Sequence, residues 1–222
     1  AHRFIARWLS AGRPQRGSLE AIGACFFAGG EFELAAEHCF RAGEQLAARG
    51  APRAASALFK RAMSARRLVH DEAGAARAGF ALVRALLDAG DTRGAKDQMT
   101  RLEHLGAAET PALQARLLAR AARAEGDSEL ALRILSRVTV GRSPEIDLES
   151  SFEIESDLIE LLVAEGRSND AESHAAMAVQ LAKTLYERAQ GADDAPLVRL
   201  SKAAAKLARL RVASGRVSDA KA

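Results

Sequence analysis

A short pattern recurs along the chain and constrains its fold more than any other feature of the sequence. In each copy a glycine is followed five residues later by alanine, and mostly apolar residues stand four and seven positions after that alanine. The copies begin at Gly50, Gly90, Gly126, Gly166 and Gly215, with a looser copy at Gly12. Successive glycines lie 36 to 49 residues apart. A period near 40 residues predicts a repeat of two helices and two turns.

The physical chemistry of helix ends agrees with this period. Glycine after an apolar-periodic run is a common helix terminus, because it adopts the left-handed backbone conformation without a steric clash. We expect Asp91, Asp127 and Ser168 to cap the helices that follow three of these glycines. The alanines are expected where antiparallel helices approach most closely, since a larger side chain would force the helices apart. They are Ala55, Ala95, Ala131, Ala171 and Ala220.

The composition favours helices and excludes a sheet fold. Alanine, the best helix former, contributes 50 of the 222 residues, whereas aromatic residues are only 5%. We therefore predict an all-α, right-handed superhelical solenoid of about six antiparallel helical hairpins. We expect it to be a single domain over residues 1–222 and a fragment of a larger protein. The predicted helices are 2–11, 17–28, 32–48, 52–69, 72–89, 92–105, 110–125, 128–139, 147–165, 168–190, 196–214 and 216–222.

Residues on two neighbouring predicted helices resemble the tetratricopeptide-type (TPR) repeat. The first-helix positions are Cys39, Ala42, Gly43 and Leu46, and the second-helix positions are Ala55, Phe59 and Ala62. The repeat of that family is 34 residues long, so the longer period of this chain indicates a TPR-like solenoid. Stacking of such hairpins leaves a concave groove lined by the first helix of each hairpin.

One stretch, residues 27–63, carries a more specific resemblance. It reads FAGGEFELAAEHCFRAGEQLAARGAPRAASALFKRAM and resembles the helical repeats that follow the ATPase or kinase module of large bacterial signalling proteins. Those proteins are STAND-type ATPase regulators and repeat-bearing Ser/Thr kinases. The resemblance implies a cytoplasmic interaction or sensor region, with an ATPase or kinase module upstream in the full-length protein. It implies neither activity in this segment.

The residue types that perform catalysis or bind metals do not occur at productive spacings. No two of the five histidines are three or four residues apart, so no helix presents a histidine pair to a metal. Cys25 and Cys39 are expected to be reduced, buried thiols. The net charge of +3 is small for a nucleic-acid binder, and no apolar run is long enough to span a membrane. We therefore expect no enzymatic activity, cofactor or metal.

Charged residues are segregated in the last third of the chain. Between Glu145 and Glu172 there are ten acidic residues, opposed only by Arg167. Between Arg199 and Arg216 there are six basic residues and no acidic one. Two interpretations stay open at this point. The segments are solvated helix faces that attract one another along the solenoid, or they form a docking surface for an oppositely charged partner.

We predict that the concave face of the solenoid binds a protein or peptide. The expected contact residues lie on first helices, pointing away from the alanine seam, or in the basic segment. They are Arg41, Gln45, Arg77, Arg84, Arg116, Arg120, Glu160, Arg199, Lys202, Lys206 and Arg209. One alternative is a sensor that binds a small molecule or peptide and regulates an upstream ATPase or kinase module. Another is a homotypic assembly module that depends on Trp8 and on residues 196–222.

Overall fold

A computed structural model of the chain describes residues 19–104, 111–140, 147–189 and 194–213. About 89% of these residues are helical and none is in a strand, which confirms the all-α class. The helices are α1 (Leu19–Ala28), α2 (Phe32–Ala48), α3 (Pro52–Leu68), α4 (Glu72–Asp88), α5 (Thr92–His104), α6 (Pro111–Ala124), α7 (Ser128–Val140), α8 (Leu148–Ala164), α9 (Ser168–Ala189) and α10 (Ala195–Ala213). The predicted helices 2–11 and 216–222 lie outside the described ranges, as do Trp8 and the repeat copies at Gly12 and Gly215.

The chain divides into two compact units, unit 1 over residues 1–109 and unit 2 over residues 110–222. In unit 1 each helix from α1 to α5 packs against the next one along the chain. In unit 2 the helices α6 to α10 do the same, and α6 also contacts α8. Each unit is therefore a stack of helical hairpins in which sequence neighbours are spatial neighbours, as expected for a repeat fold.

The turns of unit 1 recur every 20 residues. Gly30, Gly50, His70 and Gly90 each follow a helix with a positive φ, at 76°, 74°, 57° and 79°. The hydrogen bonds around them are alike: the amide of Ala51 donates to the carbonyl of Leu46 at 2.9 Å. At each of these turns a backbone amide donates to the carbonyl five residues before it, which is the hydrogen bond of a Schellman motif at the end of a helix. The turn therefore repeats at half the predicted period. A search for glycine misses the copy at residue 70, because histidine occupies the turn position there.

The alanine seam lies where the sequence predicts it. Ala55, Ala95, Ala131 and Ala171 are at most 1% exposed. Unit 1 has the same small residue five positions after its other two turns, as Ala35 and Ala75. These sites have no room for a longer side chain, because the neighbouring helix lies directly against them.

Glycines inside the helices of unit 1 allow an even closer approach. A Cβ atom on Gly43 would lie 2.7 Å from the ring of Phe59 on the next helix, and one on Gly23 would lie 2.6 Å from the Sγ of Cys39. Both distances are shorter than a van der Waals contact. The helices α1, α2 and α3 are therefore held at separations that only glycine permits at these two positions.

The helix caps confirm two of the three predicted sites. The carboxylate of Asp91 accepts from the amide of Gly94 at 2.9 Å, and that of Asp127 accepts from the amide of Leu130 at 2.9 Å. The prediction for Ser168 is wrong, because Ser168 is already the first residue of α9. Arg167 precedes it, and the carbonyl of Arg167 accepts the first helical hydrogen bond, from Ala171 at 3.0 Å.

Candidate functional site

A cleft of about 490 Å³ lies in unit 1 between α2 and α4, over the end of α3. These two helices are the first helices of successive hairpins, which the sequence predicts to form the concave face. Arg41 and Arg77, both predicted contact residues, line the cleft. Gln45 and Arg84 are exposed on the same two helices but lie outside its lining.

The aromatic ring of Phe40 holds one arginine of this cleft in place. The guanidinium of Arg77 lies over the ring, 4.9 Å from its centroid, and the ring in turn meets Phe59 edge-on at 5.4 Å. A guanidinium over the face of an aromatic ring is attracted to the ring, and its N–H groups can still donate to acceptors. Arg77 is thus positioned to receive a carbonyl or carboxylate oxygen.

The remaining charges of the unit 1 cleft are mixed in sign. Arg41 pairs with Glu37 at 2.7 Å, and Arg66 pairs with Asp71 at 3.0 Å. Glu44 lines the same cleft and is exposed. Sequence reasoning missed Glu37, Phe40 and Glu44. With Arg41 they occupy positions i, i+3, i+4 and i+7 of α2, and this spacing could have identified the face.

A second cleft, of about 510 Å³, lies in unit 2 and is lined by α6, α8, α9 and α10. It contains three of the predicted contact residues, Glu160, Lys206 and Arg209. Its base is apolar, with Ile159 and Leu210 buried there. The lining also includes Arg123, which the sequence analysis missed although it continues the spacing of Arg116 and Arg120 along one face of α6.

The acidic and basic segments of unit 2 pair with one another. Lys206 of α10 donates to Glu160 of α8 at 3.0 Å, and Arg199 of α10 pairs with Glu149 at the start of α8. Arg211 of α10 lies 3.5 Å from a carboxylate oxygen of Glu172 on α9. These contacts match the interpretation in which the two segments attract each other.

Arg116 is also engaged within unit 2. Its Nε donates to Asp157 at 2.6 Å and its Nη1 pairs with Glu153, so one guanidinium joins α6 to two carboxylates of α8. Its side chain is 23% exposed. Of the other predicted contact residues in this unit, Arg120 and Lys202 are exposed on α6 and α10. As docking residues, Arg116 and Arg199 would have to exchange their internal partners for external ones.

Titratable groups in unit 1 are perturbed mainly by burial. Burial raises the pKa of the Cys39 thiol, which keeps it protonated and a poor nucleophile at neutral pH. Burial also lowers the pKa of His38, whose ring stacks on Phe26 at a centroid distance of 5.3 Å. Both cysteines are free thiols, but only Cys39 is buried; the prediction of burial is wrong for Cys25, which is half-buried.

Among the described residues, no group of three or more His, Cys, Asp or Glu side chains is arranged to hold a metal ion. No helix in the part of the chain that the structure covers is long and apolar enough to cross a membrane.

Solved structures that share this architecture include TPR-like repeats. The nearly identical TPR-like repeats of a kinesin light chain-like protein from Podospora anserina match with a TM-score of 0.57 at 16% identity, over 83% of this chain and 89% of that one. A single-residue variant of the same repeats matches with a TM-score of 0.57 at 17% identity and the same coverage. Neither a model of a known protein family nor a curated protein sequence matches the chain. The likeness shows the fold, an all-α TPR-like repeat solenoid.

Proposed function

We propose that this chain is a non-catalytic region that binds a protein or peptide through its first helices. TPR-like repeat folds generally mediate protein–protein interactions, and scaffolds of this type are typically non-catalytic. The proposal includes the context suggested by residues 27–63, a cytoplasmic region of a bacterial signalling protein with an ATPase or kinase module upstream.

The observation that carries the proposal is the unit 1 cleft, with Arg77 stacked on Phe40 in its lining. A peptide offers the two things this cleft can bind: backbone carbonyls or carboxylates for the guanidinium, and side chains that cover the ring. The surrounding ion pairs of mixed sign would fix the register of the peptide more than its affinity, because exposed pairs contribute little free energy.

The proposal is tested by selecting short peptides from a displayed random library on the full chain and measuring their affinity by fluorescence anisotropy. Arg77→Ala is expected to lower the affinity about tenfold, the effect of losing one well-placed arginine at an interface. Arg53→Ala removes an exposed arginine from α3, outside the cleft, and serves as the matched control. Failure to select any peptide with saturable binding, or an equal loss in both variants, would count against the proposal.

The same protein preparations test the homotypic alternative. Light scattering over a range of concentrations is expected to give a constant mass if the clefts serve a different partner. A mass that rises with concentration, and no longer does so after Trp8 is replaced or residues 196–222 are removed, would favour the homotypic assembly module.

A further inference from the structure

The cleft of unit 2 has a floor of large aliphatic side chains, whereas the buried residues that line the cleft of unit 1 are alanines. Ile159 and Leu210 form its buried base, and Val163 lies beside them with 48% of its surface exposed. Ala164 and Ala213, both exposed, extend the apolar surface. An exposed valine next to a buried apolar base is surface that a partner would cover with a gain in free energy.

The rim of this cleft carries more positive than negative charge. Arg123, Lys206 and Arg209 line it, and the one acidic residue is Glu160. Lys206 is already paired with Glu160 at 3.0 Å. Arg123 and Arg209 are exposed and make no ion pair within the described chain. Two positive charges are therefore left around an apolar floor.

We propose that this cleft binds an acidic peptide segment, with apolar side chains over Ile159, Val163 and Leu210 and carboxylates on Arg123 and Arg209. The proposal rests on the proposed function and adds the chemistry of the partner. Burial of the apolar side chains supplies most of the affinity. The arginines supply selectivity, because a guanidinium pairs with a carboxylate in a planar, two-pronged geometry and a positive rim attracts acidic partners.

Glu160 allows a test in which a substitution is expected to strengthen binding and not to weaken it. Its carboxylate occupies Lys206 and repels an incoming acid. Replacing it by glutamine releases Lys206 and removes that repulsion. Glu160→Gln is therefore expected to strengthen the binding of an acidic peptide, whereas a purely structural role for the pair would give unchanged or weaker binding.

The experiment uses the full chain and two labelled synthetic peptides, one rich in Leu and Glu and the other with Lys at every Glu position. Fluorescence anisotropy is expected to show saturable binding of the acidic peptide alone, weakening as salt is added. Arg209→Glu should lower this affinity about tenfold and Glu160→Gln should raise it about threefold. Arg133→Glu is at an exposed site on α7, which does not line the cleft, and should change the affinity less than about twofold.

The apolar floor is tested with a second matched pair. Val163→Gln is expected to lower the affinity about threefold, because a polar group then faces the apolar side chains of the peptide. Met177→Gln changes an exposed apolar residue of α9 that does not line the cleft, and should leave the affinity unchanged. Both substitutions are at exposed helical positions, so loss of folding is not the expected cause of an effect.

Equal binding of the lysine-rich peptide, or equal losses in Arg209→Glu and Arg133→Glu, would overturn the inference. The absence of saturable binding would also overturn it. That holds whether a second copy of the chain then proves to cover the cleft or nothing does. If peptides selected through the unit 1 cleft still bind while the acidic peptide does not, only this inference fails. If neither kind binds, the proposed function fails with it.

Discussion

The two units hold their helices together by different means. In unit 1 the helices approach at glycines, as where Gly23 faces Cys39 and Gly43 faces the ring of Phe59. In unit 2 a run of large aliphatic residues on α8, including Ile154, Leu158 and Leu162, fills the core. Ion pairs such as Arg116–Asp157 then link separate helices of that unit. Neighbouring helices of a repeat fold can therefore pack either through close backbone approach or through large side chains that fill the space between them.

The largest expected effect is from filling a close approach in unit 1. Gly43→Val places a branched side chain against the buried ring of Phe59, so that either the ring or α3 has to shift. We expect a loss of about 3 kcal/mol in the free energy of unfolding, the upper part of the range for overpacked cores. Ala47→Val, at an exposed site on the same helix, should cost only about 0.5 kcal/mol. Urea unfolding measures both, and similar midpoints would show that unit 1 does not depend on this approach.

The next effect concerns the ion pairs of unit 2. Arg116→Ala leaves the partly buried carboxylates of Glu153 and Asp157 facing each other without a cation. The expected cost is about 2 kcal/mol, between the values for exposed and buried pairs. Arg41→Ala breaks an exposed pair within one helix of unit 1 and should cost less than about 0.5 kcal/mol. Thermal unfolding of the two variants would refute the contrast if their midpoints shifted equally.

A smaller effect is expected at the start of α8, the helix that fills the core of unit 2. Asp147 accepts from the backbone amide of Ser150 at 2.8 Å, and this bond holds the pKa of the carboxyl below its ordinary value. Asp147→Ala should cost about 1 kcal/mol at neutral pH. Because the folded pKa is the lower one, the charged cap contributes above the ordinary aspartate pKa of about 4 and its contribution is lost as the pH falls through the folded pKa.

Urea unfolding from neutral to acidic pH checks that expectation. The gap in stability between the wild-type chain and Asp147→Ala should be constant above about pH 5 and shrink below about pH 4. Asp147→Asn keeps an acceptor without the charge and serves as the control. A gap that persists unchanged into strong acid would show that the cap does not depend on the carboxylate charge.

The smallest effect is at the irregular turn of unit 1. His70 adopts φ 57° where the other turns have glycine. His70→Gly should stabilise the chain by about 0.5 kcal/mol, because relief of the left-handed strain slightly exceeds the added entropy of the unfolded chain. Gly50→Ala is the reciprocal change and should destabilise by about 1 kcal/mol. If calorimetry showed that both substitutions changed the free energy of unfolding in the same direction, the residue at the turn would not explain the difference in stability.

The sequence predicts features that depend on one backbone position and misses those that depend on how helices meet. Gly50 and Ala55 could be assigned because a left-handed turn and a close approach each restrict the residue type. Even the cap rule has limits: Asp127 obeys it, whereas Arg167 stands where a serine or aspartate is preferred. The fold class followed from such local rules.

The candidate site was only partly predictable. Arg41 and Arg77 were placed on a common face by helical periodicity, and the structure brings them into one cleft. The role of Phe40 beneath Arg77 could not be foreseen, because it depends on the separation and angle of α2 and α4. The pairing of Arg116 with α8 is of the same kind, since it is set by how three helices stack and not by any spacing along the chain.

The 20-residue recurrence of left-handed turns in unit 1 bears on how such a chain can grow. Gly30, Gly50, His70 and Gly90 bound segments that begin and end in the same backbone conformation. One 20-residue segment contains a single helix and so reverses the direction of the chain. A duplicated segment must therefore contain two helices if the chain is to continue in its original direction. Gene duplications of about 40 residues that begin at any of these turns would then add a hairpin to the stack and leave the existing connections unchanged.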